Sequence, residues 1–214
     1  VIKKKGERMR YSIILLIVLM FFTVFTACGK RIMVPPRYDL KNYEDVGIIE
    51  FAFKSEGNLG EPTTERFIEA IRRDQGMVKI VELGTESEVL KAVGKKKFDR
   101  ETFKEIGEKF DVSTIFMGEL LVSDVRPDIS IGPGLVHMRL SAEVDASLGV
   151  KMIETETGAS IWSTNVEDTE KVSEVSYFGG TAFAFDAENP DEAYGDLIYY
   201  LVERASIDFR VTWE

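Results

Sequence analysis

One cysteine and one histidine in 214 residues leave little room for metal or thiol chemistry. A tetrahedral Cys/His site needs several such ligands, and a disulfide needs a second thiol. A Ser-His-Asp triad would have to run through His137, which precedes a long strand pattern with no Cys or His at ligand spacing. The chain also lacks a glycine-rich nucleotide loop, a G-x-S-x-G elbow, an H-E-x-x-H pair and an EF-hand loop. The expectation is a non-enzymatic chain with no catalytic residue, no cofactor and no metal. Positive charge is scarce too: 27 Lys and Arg stand against 37 Asp and Glu, a formal net charge of −10. Five of those bases but only one acid precede Cys28, so the chain from Cys28 onward is more acidic still. Such a surface repels nucleic-acid phosphates, which excludes nucleic acid as a partner.

Long apolar runs are confined to one place. Ile13 to Ala27 is apolar apart from Thr23 and Thr26, comes after Lys3, Lys4, Lys5, Arg8 and Arg10, and ends in small residues before Cys28. This is the layout of a secretory signal. As a helix the run covers roughly 22 Å, short of the ~30 Å hydrocarbon core of a bilayer, so a cleaved leader fits better than a permanent span. Val1 is not methionine, and a start at Met9 preserves the same signal.

Phe25-Thr26-Ala27-Cys28 resembles the lipobox of bacterial lipoproteins, with Phe25 where Leu or Val is usual. The resemblance implies cleavage after residue 27, lipidation of Cys28 by diacylglycerol and palmitate-like chains, and a membrane partner reached through that anchor. Several acyl chains at ~0.8 kcal/mol per buried CH₂ hold firmly where one would not. Gly29, rather than aspartate, then implies outer-membrane sorting with the body facing the periplasm. The alternative is an uncleaved signal anchor with an incidental cysteine.

Residues 28–44 read as a lipidated tether, because they show no apolar periodicity and Pro35-Pro36 favours an extended spacer. Residues 45–214 read as one α/β (α+β) domain, a mixed sheet with helices packed on it in the order β-α-β-α-β-β-β-α. Asp45 to Phe53 is a buried strand by its β-branched and aromatic content. A helix starts near Thr63 or Thr64 and stops by Gly76, and Val78 to Leu83 is a second strand. Thr85 and Glu88 have capping-box spacing for a helix ended by Gly94, and Asp99 caps another carrying Phe103, Ile106 and Phe110. Val112 to Val125 is a third strand, with Gly118 allowing a close backbone approach, and RPDISIGPG after it reads as a loop.

From Met138 to Met152 apolar and polar residues alternate without a break, so one face is buried and one is wet. Extended, that strand reaches about 50 Å, which calls for a bend at Gly149 or a protruding arm. Glu156-Thr157-Gly158 is a hairpin turn returning as Ala159 to Val166. Asn189-Pro190 opens a last helix that buries Tyr194, Leu197, Ile198, Leu201 and Ala205, and Ile207, Phe209, Val211 and Trp213 suggest a closing strand.

The remaining clusters have bland explanations. Lys95-Lys96-Lys97 is a solvated turn. Asp186, Glu188, Asp191, Glu192 and Asp196 belong near a helix amino terminus, where the dipole favours acids, more than around a calcium ion. Glu167, Asp168, Glu170 and Glu174 form a solvated face. The stretch Tyr177 to Phe185 fits neither periodicity. It is either an irregular loop on the core or a partner-binding patch presenting Tyr177, Phe178, Phe183 and Phe185 to another protein or a second copy.

YEDVGIIEF, DVSTIFMGELL and VKMIETETGASIWS together resemble the CsgG-like family of envelope lipoproteins over most of residues 40 to 205. That family includes the curli-secretion channel and the lipoprotein activators of penicillin-binding proteins, and its core is similar to the amino-terminal domain of TolB. The resemblance implies a non-enzymatic module that binds a protein partner or itself in the envelope. A pore subunit of the curli type is the competing expectation. Against it, the stretches matching that channel's membrane hairpins, 123 to 137 and 167 to 189, are short and charged, and Asp124, Arg126, Pro127 and Asp128 leave the long strand without a clean partner there. A hydrolase with an unrecognised site is the third expectation.

Overall fold

The computed structural model describes residues 31–43, 45–54, 58–123, 126–131, 138–172 and 190–213. The leader, Cys28, His137, Asn189 and the aromatic stretch 177–185 lie outside them, as do Asp186 and Glu188. The strands are β1 (Met33–Val34), β2 (Val46–Ile48), β3 (Ala52–Phe53), β4 (Ile80–Glu82), β5 (Thr114–Val122), β6 (Arg126–Ile131), β7 (Met138–Glu154), β8 (Ser160–Val172) and β9 (Thr212–Trp213). The helices are α1 (Gly60–Gln75), α2 (Glu86–Ala92), α3 (Arg100–Phe110) and α4 (Pro190–Ala205). The chain divides into a small unit, Val1–Val34 with Trp213–Glu214, and a main one, Pro35–Thr212. β1 pairs with β9 as a two-stranded sheet.

The main unit has the mixed α/β (α+β) class that the pattern implies. Its seven-stranded sheet is parallel where helices connect strands and antiparallel where hairpins do. β2 runs parallel to both β4 and β5, and β3 is parallel to β5. β7 is antiparallel to β5, β6 and β8. Helices α1 and α4 bury Phe67, Ile71, Leu197, Ile198 and Leu201 against Val46, Ile48, Phe116, Leu120 and the even-numbered residues Val144 to Met152. On the opposite face α2 and α3 bury Val89, Phe103 and Ile106 against Ile115 and Ile153.

Local chemistry sets most boundaries. Thr85 accepts from the Glu88 amide while the Glu88 carboxylate accepts from the Thr85 N–H, a complete capping box. Asp99 accepts from Thr102 N at 3.0 Å and starts α3. Helix α1 begins at Gly60, earlier than Thr63. A Cβ at residue 60 would lie 2.3 Å from the Phe51 carbonyl oxygen, so the helix packs directly on that backbone. Thr64 then donates to Gly60 O and accepts from Phe51 N, both at 2.8 Å. This bond takes Phe51 out of the ladder and splits the expected Asp45–Phe53 strand into β2 and β3.

Three further segments differ from their sequence reading. Tyr38 to Tyr43, in the expected spacer, packs on the core, with Leu40 fully buried in a short 3-10 turn. Residues 126–131, expected as loop, form β6. Ile207–Phe209 is a 3-10 turn instead of closing strand, with Phe209 fully buried and Ile207 exposed. Among the described residues no helix is long and apolar enough to cross a membrane.

Candidate functional site

The longest element, β7, has 17 residues. One edge of it pairs first with β6, over 138–143, and then with β5, over 146–154. Its other edge pairs with β8 from Ala142 to Ile153. The strand therefore has an antiparallel partner on the side where none was expected. Ile131↔Met138, Ile129↔Leu140 and Pro127↔Ala142 are apolar pairs, and Ser130↔Arg139, Asp128↔Ser141 and Arg126↔Glu143 are polar ones. Pro127 is tolerated because a proline in an edge strand lacks only an outward N–H. The register runs through Gly149 without a break, and the ladder's irregularity falls at Met152/Ile153 instead.

Backbone and side-chain bonds lock the joint between β5 and β6. Ser123 N donates to Asp145 O at 2.8 Å, Asp145 N returns a bond to Ser123 Oγ at 3.0 Å, and Thr169 Oγ1 donates to Asp145 Oδ1 at 2.7 Å. At the outer edge of β8, Arg204 Nη1 donates to Glu167 O at 3.0 Å and Thr169 N donates to Asp168 Oδ1 at 2.9 Å. A strand edge is a template for another chain, and these bonds occupy part of it. The acids read as a solvated face thus include Glu167 and Asp168, tied to α4 through Arg204.

A second place of chemical interest is at the ends of the parallel strands β2 and β4, from which the chain runs on through β3 to α1 on one face and directly to α2 on the other, the location at which open α/β sheets hold ligands. Glu50 stands there, its N–H donating to Gly84 O at 3.0 Å. Burial, and then the Glu61 and Glu88 carboxylates, push its carboxyl above the ordinary range. Among the described residues no group of three or more His, Cys, Asp or Glu is placed to hold a metal ion. The raised proton affinity couples stability to pH at Glu50. The folded state binds the proton more tightly than the unfolded one, so stability falls as pH rises from the unfolded pKa through the folded one. Glu50→Gln should therefore stabilise the protein at pH 7 and lose that advantage in acid, as read by urea midpoints at both pH values.

No protein-family model matches the chain, and no curated protein matches it. Among solved structures it is similar to the PelC dodecamer subunit from Paraburkholderia phytofirmans, at 11% identity over 84% of this chain and 96% of that one, with a TM-score of 0.44. Lipoprotein GNA1162 from Neisseria meningitidis matches at 11% identity over 75% of this chain and 96% of that one, TM-score 0.41. The LpoB carboxy-terminal domain from Salmonella enterica matches at 13% identity over 68% and 90%, TM-score 0.36. Likeness at this level assigns neither a family nor an activity to the chain.

Proposed function

We propose that the chain is a non-enzymatic module of the cell envelope, anchored through Cys28 to the outer membrane and facing the periplasm, that binds a protein partner or a second copy of itself. The apolar leader ending at Cys28 supports the address, and the acidic body supports a protein partner over nucleic acid. The observation that carries the binding role is the β6–β7–β8 ladder, whose 17-residue central strand continues beyond its pairing with β5. The patch Tyr177, Phe178, Phe183 and Phe185 comes after β8 in sequence and is the candidate contact. Crosslinking in intact cells from cysteines placed at Thr169 and Tyr177, on a Cys28 background left intact, should capture one defined protein or a dimer. Captured products that vary randomly between preparations would overturn the binding role.

A pore subunit is the second reading; the alternation of apolar and polar β6/β7 pairs favours it, and the six pairs, short of the roughly 9 to 11 residues of a membrane strand, count against it. Cys28→Ala separates the two. The module should leave the membrane in detergent-free extraction, whereas a barrel subunit stays behind. Mass spectrometry of the native chain should find Cys28 acylated and amino-terminal, and a free thiol with the leader attached would remove the anchor from the proposal.

A further inference from the structure

The sheet face opposite α1 and α4 carries two adjacent register rows across β5, β7 and β8. One is Glu119, Gly149 and Asn165, and the next is Met117, Lys151 and Ser163. They floor a groove of about 480 Å³, walled on one side by Lys54 and Glu86. That volume lies within the ~300 to 1,000 Å³ range of small-ligand pockets. Lys54 is ion-paired with Glu119. Lys151 is exposed, and Asn165 donates from Nδ2 to Glu167 Oε1 at 3.2 Å, which leaves its amide oxygen for another group.

Gly149 is the unexplained residue in this floor. At Gly118, which pairs with Val150 one residue along, a Cβ would stand 2.9 Å from Gly149 O and 3.0 Å from a Phe51 ring carbon, so packing demands glycine. At residue 149 a Cβ would meet only Asn165 Oδ1, at 3.4 Å, and the backbone is not left-handed. A glycine inside a strand weakens it and often marks a bulge, a bend or a place where a ligand or another backbone comes close; the ladder is unbroken at Gly149, which favours the last.

We propose that this groove binds a short zwitterionic peptide, its ammonium seated over Gly149 between the Glu119 carboxylate and the Asn165 amide oxygen, and its carboxylate at Lys151. The spacings fit. Adjacent strands lie about 4.8 Å apart, so the backbones of Glu119 and Asn165 stand about 10 Å apart on either side of Gly149, with side chains that can reach in over it, and Lys151 is two residues, or ~7 Å, further along β7. A two-residue peptide spans at most about 7 Å. The groove lies on residues unrelated to Cys28, so this site stands or falls separately from the envelope address.

The test is calorimetric titration of the full chain in detergent with alanyl-alanine, alanyl-alaninamide and N-acetyl-alanyl-alaninamide. Alanyl-alanine should bind saturably, and the doubly capped peptide should not. Gly149→Val should keep the urea midpoint and weaken alanyl-alanine by about tenfold or more. Lys151→Gln should weaken alanyl-alanine by about tenfold while leaving the affinity for alanyl-alaninamide unchanged. Absence of saturable binding at millimolar peptide, equal affinity for the doubly capped form, or undiminished binding by Gly149→Val would overturn the site. Gly149→Ala guards against misfolding, because a lowered urea midpoint in that variant would show that packing needs the glycine and remove the reason for the site.

Discussion

Gln75→Leu should lower the stability of the fold by about 3 kcal/mol, the sum of several buried backbone groups each losing ~1 to 3 kcal/mol less what water restores. Gln75 ends α1 and is 2% exposed. Its Oε1 accepts from Leu40 N at 2.8 Å, while Nε2 donates to Tyr38 O at 2.8 Å and to Phe209 O at 2.7 Å. One amide therefore ties the entry of the main unit to its exit. Leucine keeps the volume and orphans all three backbone groups. The Tyr38 carbonyl is only part-buried and can recover water, which is why the loss stays below the full sum. Urea denaturation measures it.

Gln75→Glu sharpens the test. The carboxylate still accepts from Leu40 N but turns an acceptor toward two carbonyls, so at pH 7 it should cost at least as much as leucine. Protonation restores one donor. The folded state then holds that proton more tightly than the unfolded one, and the variant should regain stability as pH falls through the raised pKa. A pH-independent loss would mean that shape and not hydrogen bonding sets the cost at this position.

No sequence pattern announces Gln75, because two of its partners lie 35 and 37 residues behind it and the third 134 residues ahead. Short-range chemistry was far more legible. The caps at Thr85 and Asp99 need only three residues of sequence, and the alternation along β7 and β8 states which side is buried: Val144, Leu148, Val150, Trp162 and Val166 are inside, while Ser163, Asn165 and Glu167 are exposed. Punctuation misled where tertiary pairing outweighed it. Pro127 and Asp128 with the downstream Gly and Pro read as loop, yet β7 supplies a complete ladder for residues 126–131. At the carboxy-terminal end the alternation of Ile207 and Phe209 did not mean a strand, because these residues form a 3-10 turn, closed by Phe209 N donating to Ser206 O at 3.0 Å, and the strand itself is confined to Thr212–Trp213. For the site, the face of each β5, β7 and β8 residue was readable by parity, but the register that sets Gly149 between Glu119 and Asn165 was not, since it depends on how three strands align.

Phe116→Ala should cost about 3 to 5 kcal/mol, the range for emptying a buried aromatic site. Phe116 is fully buried on β5, in register with Ile48 of β2 and Met152 of β7. Its ring meets Phe67 at 5.5 Å, Phe209 at 5.4 Å and Trp162 at 6.1 Å between centroids, near-perpendicular in each case. Those neighbours cannot easily close on the hole. Trp162 is held by Nε1 donating to Asp208 Oδ2 at 3.0 Å, Phe209 by the Gln75 bond to its carbonyl, and Phe67 by the helix that Gly60 seats on Phe51. A cavity lined by fixed groups keeps its full penalty, whereas Phe116→Leu refills most of it and should cost markedly less. Fluorescence in a Trp213→Phe background isolates Trp162 and reports the loosening directly. The wider consequence concerns β7, because residues 146–154 pair with β5 and anchor the strand whose other end pairs with β6. Hydrogen exchange at 146–154 should accelerate in Phe116→Ala along with the global loss of stability. Unchanged exchange there, with a lowered urea midpoint, would show that β8 alone holds the long strand in place.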